Sequence, residues 1–89
     1  MNAVHKYILS VKTNLSLPEG YKFLSVAAQH GETCLWVQVD TDAIKYTDRT
    51  IELFGTGHNM PEHEVIFIGT VLQYGGDLVL HVFDTTITT

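Results

Sequence analysis

Apolar and polar residues alternate with period two through most of this chain, the pattern of half-buried β-strands. Over residues 5–12, Tyr7, Leu9 and Val11 share one side while Lys6, Ser10 and Lys12 share the other, and only Ile8 breaks the polar face. Residues 14–20 read as a connection, because Pro18 and Gly20 are strong breakers. A second strand is expected from Tyr21 to Ala28 and a third from Thr33 to Asp40. His30-Gly31 between them suits a tight hairpin, since glycine supplies a positive φ and histidine tolerates one better than most residues. In the third strand Leu35, Val37 and Val39 oppose Cys34, Trp36 and Gln38, and apolar bulk on both sides marks a central position.

Residues 41–48 are the most polar and least periodic stretch, a loop with room for one helical turn capped by Thr41 or Asp42. A fourth strand follows from Arg49 to Phe54. The run from Gly55 to Pro61 holds two glycines and a proline and predicts an irregular loop. A fifth strand spans Val65 to Leu72, and Gly69 within it predicts a bulge, a barrel bend or a close backbone approach. Tyr74-Gly75-Gly76-Asp77 then turns the chain into a sixth strand from Leu78 to Phe83. The expected fold is all-β: a compact six-stranded, mostly antiparallel barrel or sandwich over residues 1–84, followed by a Thr-rich tail over 85–89.

The 89-residue length allows one core, and a hydrophobic content of 45% argues against disorder. Small domains often gain stability by self-association, so a homo-oligomer fits the length. The formal charge of −5 disfavours a DNA or RNA groove and an anionic membrane surface, both of which attract lysine and arginine. Cys34 is the only cysteine, which excludes an intramolecular disulfide. No run approaches the ~20 apolar residues that span a bilayer. Residues 1–6 lack a basic segment leading into an apolar one, so a reducing cytoplasm is the expected compartment.

Gly55, Thr56, Gly57, His58 and Asn59 are the candidate ligand-binding residues, because the backbone N–H groups of such a loop can cradle an anion. No Gly-Lys-Ser/Thr follows them, and the glycines can equally serve an unusual turn leaving a strand. His58 and His63, with Glu62 and Glu64 beside the second, are metal-ligand types without the usual short-spaced pairing. No metal or other cofactor is expected. Cys34 with His81 is a nucleophile–base pair on paper, but both fall in predicted strands and the carboxylates are scattered singly. No catalytic residue is assigned. Trp36 and Tyr46 are the candidate partner contacts among the aromatics, Tyr46 being the one expected at the surface. Aromatic rings can stack on bases, but a polynucleotide groove calls for more than five lysines and arginines.

Several motifs, taken in order, resemble a family of short, uncharacterised proteins encoded by tailed bacteriophages and prophages. They are His-Lys-Tyr-x-Leu (5–9), Leu-x-Leu-Pro-x-Gly (15–20), Leu-Ser-Val (24–26) and Cys-Leu-Trp (34–36). Phe-Gly-Thr-Gly-His-x-x-Pro (54–61), Ile-Gly-Thr (68–70), Gly-Gly-x-Leu-Val (75–79) and His-Val-Phe (81–83) complete the set. The resemblance implies a phage-borne protein acting in the host bacterial cytoplasm, and it transfers no catalytic residue.

The expected function is that of a non-enzymatic accessory protein that binds a host factor. Such a counter-defence inhibitor would mask a host protein or sequester a small nucleotide signal. Two other classes fit the same length. One is a small structural or assembly protein of the phage, with the Thr85–Thr89 tail adding to a neighbour's sheet. The other is a nucleotide-processing enzyme.

Overall fold

The computed structural model describes residues 1–87 and holds seven strands: β1 (Asn2–Leu9), β2 (Lys12–Pro18), β3 (Lys22–Gln29), β4 (Glu32–Asp40), β5 (Tyr46–Gly55), β6 (Ile66–Gln73) and β7 (Leu78–Asp84). A three-stranded sheet, β1-β4-β3, faces a four-stranded one, β2-β5-β7-β6. Every neighbouring pair is antiparallel. The protein is thus a sandwich of two sheets and not a closed barrel.

The seventh strand is β2, in the stretch whose proline and glycine suggested a connection. Pro18 is its last residue, and β2 is an edge strand, the place in a sheet where a missing N–H is harmless. Leu15 and Leu17 alternate inward between exposed Asn14 and Ser16, which is the period-two cue that the breakers obscured. What read as one strand over 5–12 is the end of β1, a corner and the start of β2. Ser10 makes the corner: its N–H donates to Thr13 Oγ1 at 2.9 Å and its hydroxyl donates to the Lys12 carbonyl at 3.0 Å.

The loop after β4 is shorter than expected and not helical. Asp40 Oδ1 caps it by accepting the Asp42 N–H at 3.0 Å, and the strand resumes at Tyr46 rather than Arg49. The single helical turn among the described residues is a 3₁₀ turn at Tyr74–Gly76. His30 and Gly31 take positive φ values of 52° and 77° and join β3 to β4 as a tight hairpin. β4 is the central strand of its sheet, as its two-sided apolar character requires.

Leu35, Val37 and Val39 of β4 pack against Leu15, Leu17, Ile51, Val71 and Val82 of the other sheet, with Leu9 closing the cluster. Full burial of such a side chain is worth about 1.5–3 kcal/mol. Two polar contacts lie within the core: Arg49 pairs with Asp84, and Gln73 Nε2 donates to Thr33 Oγ1 at 3.2 Å. The sheets meet along β3 and β6, where the register shifts between Phe67 and Gly69. A Cβ on Gly69 would stand 2.5 Å from Val26 Cγ2, so the bulge and the close approach anticipated at this glycine coincide.

Tyr7 and Tyr21 lean on the core, and burial raises both phenol pKa values above 10.0. Burial dominates at both; Tyr46 adds to the rise at Tyr7, while Arg49 opposes it and Asp84 adds to it at Tyr21. The unfolded chain therefore ionises these phenols first. Their contribution to stability is whole below pH ~10 and is lost as pH rises through the folded values. An ultraviolet absorbance titration should show a late-ionising component that shrinks in Tyr7→Phe and again in Tyr7→Phe/Tyr21→Phe. An unchanged titration curve would contradict the packing described for these rings.

Candidate functional site

Strand parity decides what each sheet shows to solvent. In the four-stranded sheet Ile51, Leu53 and Val82 point inward, so their neighbours Glu52, Phe54, His81 and Phe83 point outward. Phe67 lies opposite Phe83 in the ladder, Thr70 opposite His81 and Leu72 opposite Val79. The outer face consequently carries three phenylalanine rings in a row. Phe54 and Phe83 meet edge to face at 5.9 Å between centroids, and Phe67 and Phe83 lie 5.3 Å apart. Phe67 and Leu72 are 57% and 58% exposed, far more than their types prefer.

The loop that leaves β5 at Gly55 folds back over this face and is fixed at three points. The first is its own opening turn. The His58 N–H donates to the Gly55 carbonyl at 3.1 Å, and the Gly55 N–H donates to His58 Nδ1 at 3.1 Å. Gly57 sits inside this turn at φ 88°, a conformation that side-chain-bearing residues adopt at a cost. Gly55 is needed for a different reason: a Cβ there would come within 2.9 Å of the His58 ring. The second tether is His81, whose Nε2 lies 2.9 Å from Thr56 Oγ1 and whose Nδ1 lies 3.2 Å from Thr70 Oγ1. The third is His63, whose Nε2–H donates to the Thr85 carbonyl at 2.8 Å.

Under the loop is a pocket of about 280 Å³ lined by Phe54, Gly55, Thr56, Gly57, His58, Met60, His81 and Phe83. Four of the five candidate ligand-binding residues thus border one cavity; Asn59 is exposed beside it. On the other side of His58 a second depression of about 280 Å³ is edged by Asp77, Leu78, Val79 and Leu80. Because Nδ1 accepts a hydrogen bond from the Gly55 N–H, the neutral His58 ring carries its proton on Nε2, and that N–H has no partner among the described residues. The N–H groups of Gly55 and His58 are committed to the turn. Beside its backbone the loop thus offers an aromatic floor and a side-chain donor.

The remaining candidates disperse. Tyr46 is exposed, but it stands at the opposite end of β5 from Gly55. Trp36 lies half-buried on the outer face of the three-stranded sheet, opposite Lys6 and Ser25 in the register. Cys34 belongs to that face too, buried in the register between Ile8 and Ala27, while Lys6 reaches across to Gln29 Oε1 at 2.9 Å. Cys34 and His81 thus occupy outer faces of different sheets and form no dyad. His58 and His63 are both engaged with the backbone, and among the described residues no three His, Cys, Asp or Glu side chains cluster as a metal site.

Sequence reasoning missed Phe54, Met60 and Phe83, and it weighed His81 only as a partner of Cys34. The missed signal was parity: Phe54 and Phe83 alternate with half-buried Leu53 and buried Val82, which assigns them to the face away from the core. The Thr-rich segment is used within the chain at its start. The Thr85 N–H donates to the Thr50 carbonyl at 2.9 Å and Thr86 Oγ1 accepts the Thr50 N–H at 2.8 Å, while the Thr85 hydroxyl bonds Glu52. Residues 88–89 of the tail lie outside the described residues.

A family model described as Domain of unknown function (DUF7352) matches residues 1–88, which takes in the pocket, the aromatic face and nearly all of the tail. No curated protein and no solved structure matches the chain.

Proposed function

We propose that this chain, which belongs to the DUF7352 family, is a non-enzymatic binding protein that captures a host factor on the outer face of its four-stranded sheet. The observation that carries this reading is the tethered Gly55–Pro61 loop, which holds Gly57 and His58 over a floor of Phe54 and Phe83. Aromatic faces and a lone N–H donor are groups that hold and orient a ligand. In the setting implied by the phage resemblance, the protein acts in the host cytoplasm as a counter-defence inhibitor. Masking of a host protein is favoured, because Phe67 and Leu72 expose further apolar surface outside the pocket, on either side of the Thr70–His81 pair. Sequestration of a small nucleotide is the second reading, favoured by a cavity whose lining has room for one base.

Plaque formation on a defence-bearing bacterial strain tests the reading. Expression of the wild-type protein should raise the efficiency of plating of a sensitive phage by orders of magnitude. His58→Ala and Gly55→Ala should lose that effect while remaining folded. The alanine Cβ at residue 55 would displace the end of the His58 side chain, which can move, rather than a core group. Full protection by both variants would overturn the assignment of the site.

A further inference from the structure

We infer that the occupant of this site is a basic protein segment carrying a lysine or arginine beside an apolar residue, rather than an anionic nucleotide. The inference rests on the loop-and-face reading above and names the chemistry of its partner. Its starting point is an asymmetry of charge. Residues 1–49 hold five basic and five acidic residues, whereas residues 50–89 hold five acidic residues and no lysine or arginine. The entire formal charge of −5 therefore falls on the part of the chain that builds β6, β7, most of β5 and the loop.

One of those five carboxylates, Asp84, is neutralised internally by Arg49. The other four are Glu52, Glu62, Glu64 and Asp77, on the outer face of β5, in the loop and in the β6–β7 turn. The one lysine on the outer side of this sheet is Lys12, opposite Glu52 on the edge strand β2. A phosphate beside the loop would meet the Asp77 residue that edges it, while the cations of this sheet are Lys12, opposite Glu52, and Arg49, which is bound to Asp84, and like-charge contacts at an interface oppose binding. A cationic partner meets the reverse: the surrounding field attracts it, and exposed phenylalanine faces stabilise a nearby ammonium or guanidinium.

The two depressions divide the work. His58 stands between the aromatic pocket of Phe54, Met60 and Phe83 and the depression edged by the Asp77 carboxylate. An extended segment lying across the loop places an apolar side chain in the first and a basic one over the second. The unpartnered His58 Nε2–H is a donor available to a carbonyl of that segment.

A randomised display library of short linear peptides, selected against the full-length protein, tests this directly. The expected outcome is enrichment of peptides that combine lysine or arginine with leucine, isoleucine or an aromatic residue. A peptide synthesised from the enriched pool should weaken at least fivefold between low and physiological salt. Phe83→Ala should abolish the enrichment. Asp77→Lys changes an exposed turn residue without touching the core, and it should remove the preference for basic residues while the apolar preference stays. Enrichment of acidic peptides, no enrichment over the Phe83→Ala control, or an unchanged basic preference in Asp77→Lys would each overturn the inference. A parallel thermal-shift screen with cyclic dinucleotides separates the two levels. A nucleotide-induced shift that disappears in His58→Ala would overturn the basic-segment inference and leave the site standing, whereas a failed library selection without any such shift would remove both.

Discussion

Replacing Asp84 by alanine is expected to lower the unfolding free energy by about 3–5 kcal/mol, because it strands a guanidinium inside the sandwich. The Asp84 side chain is fully buried and that of Arg49 is 15% exposed. One carboxylate oxygen receives both Arg49 Nε and a terminal Arg49 nitrogen at 2.7 Å. The other accepts the Thr86 N–H at 3.0 Å and the Thr86 hydroxyl at 2.6 Å. The substitution removes all four acceptor contacts together, two from Arg49 and two from Thr86. For a domain of this size each kcal/mol lowers the melting temperature by about 4–8 °C, so the variant should melt at least ten degrees early in calorimetry. Replacing both partners with apolar residues, as in Arg49→Met/Asp84→Leu, should recover most of the loss, since no unpaired charge then remains. A loss below about 1 kcal/mol for Asp84→Ala would mean that water reaches the pair freely.

Gly69→Ala is expected to cost about 1–3 kcal/mol, the usual penalty for forcing a methyl group into a packed seam. The new Cβ would lie 2.5 Å from Val26 Cγ2, inside any allowed contact. Neither side yields easily: Val26 is a short β-branched side chain on β3, and residue 69 is held in the β6–β7 ladder. Truncating the obstacle should relieve the clash, so Gly69→Ala/Val26→Ala is expected to be less destabilised than the sum of its two single variants. Additive single and double effects in urea unfolding would show that the seam between β3 and β6 is looser than described.

Local alternation made much of this fold legible. The inward set of β4, the His30-Gly31 hairpin, the irregular Gly55–Pro61 loop and the special role of Gly69 all follow from residue type and period over a few positions. β2 was hidden because Pro18 and Gly20 outweighed the Leu15–Leu17 alternation. Pro18 is harmless only because β2 occupies a sheet edge, and an edge is defined by the absence of a neighbour that no local pattern reports. The site was half visible. Its loop residues stood out by their turn chemistry, but the floor comes from Phe54 and Phe83 on β5 and β7, strands separated by the loop and by β6.

Composition and period by themselves determine that this chain makes β-strands, which residues of each strand share a face, and that its acidic excess falls in the last forty residues. Those properties depend on side-chain type and on the two-residue repeat of extended backbone, and both are local. Tertiary structure alone decided the division into a three-stranded and a four-stranded sheet, the pairing of Arg49 with Asp84, and the meeting of Phe54, Phe67 and Phe83 from three strands in one outer row. Each of these is a choice among long-range pairings. A phenylalanine on a strand buries its ring only if a second layer covers that face, and here the covering sheet lies on the other side.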